Sequence, residues 1–403
     1  MKFYLSLIFC FAIILNYGQN DSITAKEVRI FNSNYKEFEV VGSVVYSVTK
    51  NNNLVVFDLL SNKIINTRSN VVSITKSRNN EIFYITTENK VISDKKTEII
   101  SNFVSNPYKL LLDKTNSPII ISDKGLIYKG KLYEPKNIEY NYRFYGIKSI
   151  KDKTRVFENP DLVYLDKKER LWLTYDRGEF GEDVLFFDLN KKVFFEEGYL
   201  MIDADYQYND EKRYLGKLIK TFPDKIKVTE KDTLYKFPYQ MPIRHPIRGI
   251  VEKEGKFFIS QSLLHFVVTS NFSILYDFDS DEFYKSEEIE CQLLECDEFS
   301  YFGANEFLGP ISLNKFNNSI YYYSHKGFFK IIESENIFQK EFIFRPWILW
   351  SATNRNNIGY DINITKFEFI AENELVFLTT NNGIGYFNGK EVVYFKWFEP
   401  KSK

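Results

Sequence analysis

The sequence predicts an all-β protein, a seven-bladed β-propeller of four-stranded antiparallel sheets, with eight blades as the alternative. Composition is the first reason. The 403 residues include 38 Phe and 28 Tyr but only 3 Met and 11 Pro, a bias towards side chains that suit a pleated, half-buried surface. A repeat is the second reason: a turn, a short strand ending in Ser or Thr, another turn and a second strand recur at seven places. The third is that a strand such as Phe377-Leu378-Thr379 is apolar on both faces. Each sheet then needs cover on both sides, and sheets stacked around a ring supply it while leaving only short edges.

The clearest copy is Asn373-Glu-Leu-Val-Phe-Leu-Thr-Thr380 followed by Asn381-Asn-Gly-Ile-Gly-Tyr-Phe-Asn-Gly-Lys390. Glu169–Thr174 matches its first strand and Asp183–Asp188 its second. Ser117–Ser122 with Asp123–Tyr128, and Ser319–Ser324 with His325–Lys330, are further copies. Looser ones begin at Ser43, Glu81 and Gly255. Gly125, Gly327 and Gly383 occupy the tight turn, where a positive φ is needed. Trp172 aligns with Tyr322 and Phe377 as a core position.

Seven units would have about 55 residues each, above the usual 40–50 of a blade. The excess is uneven. Thr49, Thr86 and Ser122 are 37 and 36 residues apart, whereas Thr174 and Ser260 are 86 apart. Either an eighth, degenerate blade or an insertion at about 200–245 fills that gap. The polar, Tyr-rich stretch Asp203–Arg213 favours the insertion, which gives one propeller domain over residues 20–403.

The last copy, Asn373–Lys390, resembles the repeats of two-component-sensor-type periplasmic β-propellers, whose units read as turn, aromatic strand, Thr, Asn-Gly hairpin and Tyr/Phe-Asp/Asn-Gly. The resemblance covers roughly residues 40–396 and implies an extracytoplasmic propeller. The sensors continue into a membrane helix and a kinase, and this chain departs from them there, so the resemblance bears on fold more than on signalling.

Residues 1–19 read as an export signal, with Lys2 as the positive start, an apolar run Phe3–Leu15 broken only by Ser6, and Gly18 near the cleavage point. The run has about 13 residues, short of the roughly 20 that cross a bilayer as a helix. Cys10 lies inside it, not after small residues at its end, which argues against a lipidated cysteine. No later segment is of spanning length, so the expected location is secreted or periplasmic, with no transmembrane segment in the mature chain. There Cys291 and Cys296 are a possible disulfide, although the small ring they close fits a turn or hairpin and strains a straight strand. Zinc lacks a second pair of ligands.

Charge excludes two classes. With 53 Lys and Arg against 54 Asp and Glu, the chain has no basic surplus for a nucleic-acid backbone, and its aromatic content is foreign to disorder. Asp277-Phe-Asp279-Ser-Asp281 with Glu288 has a calcium-loop outline, but Glu282 stands where such a loop wants Gly. The aromatic-Asp step recurs at Asp58, Asp188 and Asp277, which marks a turn aspartate capping backbone amides. Gly383-Ile-Gly385 has no helix to aim at a phosphate. His245, His265 and His325 are isolated from one another. No nucleophile elbow or metalloprotease helix is present.

Two segments stand out as binding candidates. Arg244, His245 and Arg248, in the segment Pro242–Arg248 with its two prolines, lie beside the insertion and suit an anion-facing rim. Arg345, Trp347, Trp350 and Arg355 bring together aromatic and guanidinium groups of the kind that anchor interfaces. Tyr206 and Tyr208 lie in the insertion itself, and loops carry recognition more often than their scaffold does. The expected function is a secreted or periplasmic propeller that binds or scaffolds a protein or glycan, as a monomer, without cofactor, metal or catalysis. The rival readings are a propeller hydrolase or lyase acting on polysaccharide through acids such as Glu179, Glu182 and Asp183, and a stand-alone extracytoplasmic sensor.

Overall fold

The computed structural model describes residues 25–31, 33–93, 98–100, 104–134, 157–176, 182–196, 246–261, 265–269, 274–276, 308–324, 326–334, 337–346, 364–380 and 382–397. The regular elements within them are all strands. After β1 (Ala25–Phe31), strands follow in consecutive groups of four. The first group is β2 (Tyr35–Val41), β3 (Val44–Thr49), β4 (Leu54–Asp58) and β5 (Lys63–Arg68). Next come β6 (Val71–Lys76), β7 (Ile82–Thr86), β8 (Lys90–Ser93) and β9 (Glu98–Ile100), then β10 (Pro107–Leu112), β11 (Pro118–Ser122), β12 (Gly125–Tyr128) and β13 (Lys131–Tyr133). The middle groups are β14 (Leu162–Leu165), β15 (Arg170–Asp176), β16 (Glu182–Asp188), β17 (Val193–Glu196), and β18 (Ile247–Lys253), β19 (Lys256–Gln261), β20 (His265–Thr269), β21 (Ile274–Tyr276). The last are β22 (Leu308–Asn314), β23 (Ser319–Ser324), β24 (Gly327–Ser334), β25 (Ile337–Phe344), and β26 (Ile364–Ala371), β27 (Glu374–Thr379), β28 (Ile384–Phe387), β29 (Val392–Trp397).

The architecture is a β-propeller of small antiparallel sheets. The blade count differs from the expectation. Among the described residues six sheets are four-stranded and wholly antiparallel, each a meander in chain order, and neither seven nor eight sheets of that kind are present. The C-terminal group, β26 to β29, has a fifth strand: β1 runs parallel to β29, with Ala25 opposite Val392 and Val28 opposite Phe395. The repeat pattern misses β1 because Ala-Lys-Glu-Val-Arg-Ile-Phe has neither the Ser/Thr end nor the turn of a copy. Lys26 pairs with Glu391 at 2.8 Å and Lys396 with Glu27 at 2.5 Å, fastening the two ends of the chain together.

Burial follows from stacking. The second strands β3, β7, β11, β15, β19, β23 and β27 coincide with the repeat copies, and most of their residues are buried on both faces. The outermost strand β5 is exposed throughout. Cores form between neighbouring sheets: Tyr35, Phe38 and Phe57 meet Leu378, Tyr386 and Phe395, and Ile119 and Ile121 meet Leu171, Leu173 and Phe187. Trp172 is fully buried, as are Tyr322 and Phe377. Its ring lies 4.9 Å from Phe186 and 5.1 Å from Phe257, and its indole N–H donates to Asp166 Oδ2 at 3.2 Å.

In several copies the Ser/Thr that ends the second strand ties the turn that follows, whereas the Ser260 hydroxyl donates to the Gly309 carbonyl of the next sheet. Thr379 Oγ1 donates to the Gly383 carbonyl at 2.7 Å and accepts from the Asn382 amide at 2.8 Å. Thr49 accepts from the Asn53 amide, Ser122 from that of Lys124 and Ser324 from that of Lys326. Gly125, Gly327 and Gly383 all have positive φ. At Gly383 a side chain is excluded twice over, because a Cβ there would lie 2.2 Å from the Phe395 carbonyl oxygen of the outer strand.

Candidate functional site

The first strand of each sheet is its inner edge, and these first strands lie side by side: β2 with β6, β6 with β10, β14 with β18, β18 with β22, β22 with β26, and β26 with β2. An edge strand has unpaired carbonyls and amides along its free side. On β2 those groups and the alternating charges of Lys-Glu-Phe-Glu-Val build a site. Phe38 and Val40 face the C-terminal sheet and are buried. Glu37 and Glu39, one residue out of phase, leave the opposite face.

Glu37 Oε1 accepts from the Ile74 amide of β6 at 2.6 Å, and Oε2 pairs with Lys109 of β10. Glu39 pairs with Lys366 of β26 at 2.8 Å, and Lys366 also donates to the Phe38 carbonyl at 2.7 Å. Lys76 of β6 donates to the Val40 carbonyl at 2.8 Å, pairs with Glu368 of β26, and lies 3.8 Å from Glu39. Lys315 stands 3.9 Å from Glu368. Three carboxylates and the ammonium groups of Lys76, Lys109 and Lys366, from four consecutive sheets, thus form one belt along the inner edge, with Lys315 at its margin. The lysines satisfy the free carbonyls of β2 and block strand pairing there.

Exposure divides the belt. The side chains of Lys366 and Lys109 are 40 % and 37 % exposed, while those of Glu37, Glu39 and Glu368 are 11 %, 17 % and 17 % exposed. Burial alone would push the Glu39 carboxyl up, but the ammonium groups of Lys366 and Lys76 outweigh it and hold it below the usual carboxylate range. Burial would likewise lower Lys366, and the Glu39 and Glu368 carboxylates hold it above its ordinary value. Both groups are therefore charged at neutral pH. A carboxylate held ionised by ammonium groups is a poor general acid.

The candidates expected from the sequence fall elsewhere. Arg248, on β18, pairs with Asp176 at the end of β15, 3.3 Å away, and is half-exposed. Arg345 follows β25 and is exposed. Arg244, His245, Trp347, Trp350, Arg355, Tyr206 and Tyr208 lie outside the described residues, as do Cys291, Cys296, Glu179, the Asp277–Glu288 segment and the 200–245 insertion. Glu182 and Asp183 are strand residues of β16. The turn role of the aromatic-Asp step holds where it is described: Asp58 accepts from the Leu60 and Ser61 amides, and Asp188 from those of Asn190 and Lys191. Among the described residues no cluster of His, Cys, Asp and Glu is arranged to hold a metal ion, and no helix is long and apolar enough to cross a membrane.

Sequence reading missed the belt. Its signal is the alternation of charge and apolar residues in Lys36-Glu-Phe-Glu-Val40 and Lys366-Phe-Glu-Phe369, one strand ahead of each repeat copy and therefore outside the self-similar window.

No protein-family model and no curated protein matches the chain. Solved structures similar to it include the computationally designed Ika8 protein, at 9 % identity and a TM-score of 0.45, covering 92 % of this chain and 88 % of that one. Hsv2 of Kluyvelomyces marxianus is 10 % identical with a TM-score of 0.43, covering 91 % of this chain and 97 % of that one. The dihydro-heme d1 dehydrogenase NirN in complex with DHE is 9 % identical with a TM-score of 0.42, covering 88 % of this chain and 63 % of that one. Likeness at this level carries no functional argument, and the sensor-type resemblance of the repeats stands at the level of propeller architecture.

Proposed function

We propose that this chain is an extracytoplasmic propeller that binds or scaffolds a protein or a glycan. The observation that carries the reading is the belt on β26, β2, β6 and β10. Its carboxylates are withdrawn and matched by ammonium groups, and its lysines are the groups an approaching molecule meets. That arrangement suits recognition and disfavours acid–base chemistry by the same acids. Closure is supported by the Lys366–Glu39 pair and by the shared core of Phe38, Phe57, Leu378 and Phe395, both of which join the C-terminal sheet to the first one.

The test is a panel of glycans and cell-envelope proteins screened both for binding and for turnover. Binding without product supports the reading, and release of cleaved polysaccharide contradicts it. Export is checked by N-terminal sequencing of the protein recovered outside the cytoplasm. A start after residue 19 agrees with a cleaved signal, and a retained Met1 rejects it.

A further inference from the structure

We infer that the belt receives an oxyanion, with Lys109 and Lys366 as the groups that hold it, and that the oxyanion is the carboxylate of an acidic sugar. This deepens the binding reading above and rests on it. An ammonium group has three N–H donors. Lys76 has all of its surroundings matched by the Val40 carbonyl, Glu368 and Glu39. Lys366 donates to the Phe38 carbonyl and to Glu39, and its ammonium lies 4.9 Å from the centre of the Phe38 ring. Lys109 has one partner among the described residues, Glu37.

The same two lysines are far more exposed than Lys76, and Lys315 at the margin is more exposed still. They are held by carboxylates two residues apart on β2, roughly 7 Å along a strand. Lys109 also acts on Glu39, and Glu37 on Lys366. With Lys315 beside Glu368, four ammonium groups face three carboxylates, a local surplus of one positive charge. A molecule arriving here meets the exposed ammonium groups of Lys109 and Lys366, with the acids behind them. Hydrogen bonds from ammonium to carboxylate are short and stronger than neutral ones. A sugar carboxylate adds ring hydroxyls for the flanking backbone, whereas a free inorganic oxyanion has only its own oxygens.

The test is calorimetric titration of the full chain with digalacturonate, with neutral digalactose and with inorganic phosphate, at low and at physiological salt. Digalacturonate is expected to bind, to weaken as salt rises, and to lose at least fivefold in affinity in Lys109→Gln. Lys366→Arg, which keeps the charge and the pair with Glu39, should retain binding within about threefold. Thermal melting of both variants separates a lost site from a lost fold. Phosphate binding that competes with digalacturonate supports the oxyanion site while assigning it to a free anion. Digalacturonate that fails to bind, or binds the Lys109→Gln and Lys366→Gln variants unchanged, overturns the proposal. Digalactose bound independently of both lysines would do the same while leaving the glycan-binding reading intact.

Discussion

Glu37 ties the first sheet to the two that follow it, which makes its removal the most informative perturbation of the belt. Replacing it by Ala strips the Ile74 amide of its acceptor and leaves Lys109 unpaired. A hydrogen bond to a buried charged group contributes about 1.5–3 kcal/mol. The Lys109 pair contributes less, about 0–1 kcal/mol, because its ammonium is half-exposed and regains water. Glu37→Ala should therefore cost about 3 kcal/mol. Glu37→Gln keeps an amide oxygen within reach of Ile74 and loses only the charge, so it should cost about 1 kcal/mol. Equilibrium urea unfolding, followed by tryptophan fluorescence and far-UV circular dichroism, reads both. Equal costs for the two variants, or an Ala variant within about 0.5 kcal/mol of the parent, would refute the reasoning.

Other outcomes follow from the same contacts. Glu39 titrates below the usual carboxylate range, so the stability it confers is present above the ordinary carboxylate value and is lost as pH falls through its lowered one. The urea midpoint should drop below about pH 4.3, and Glu39→Gln should flatten that drop; parallel curves would exclude the pair as the cause. Thr379→Val removes a donor to the Gly383 carbonyl and an acceptor for the Asn382 amide, and should cost about 1–2 kcal/mol in urea unfolding. Gly385→Ala places a Cβ 2.2 Å from the Phe377 ring, and overpacking of this kind should lower stability by about 1–3 kcal/mol, read as a shift in the melting temperature.

What the sequence made legible is what the repeat copies contain. Second and third strands are visible because Ser/Thr ends and aromatic cores recur, with hairpin glycines at Gly125, Gly327 and Gly383. Trp172, Tyr322 and Phe377 share a register because the same inter-sheet volume must be filled each time. The inner and outer strands were not legible. Inner strands differ from sheet to sheet: β2 and β26 alternate charge with Phe, whereas β18 brings Gly249 so close to β22 that a Cβ would lie 2.7 Å from the Ile311 amide. The β1 strand escaped for a related reason, since parallel pairing with β29 depends on partners at the far end of the chain. The belt combines residues separated by up to 327 positions in a single pair, and no local window reports that.

The claim on which fold and site both depend is that the first and last sheets meet through Glu39 and Lys366. A double-mutant cycle on Glu39→Gln and Lys366→Gln, measured by urea unfolding at neutral pH, tests it most directly. Side chains in contact within one charged network couple by about 0.5–3 kcal/mol, and the structure predicts a value of about 1 kcal/mol or more. Two independent effects that simply add would contradict it.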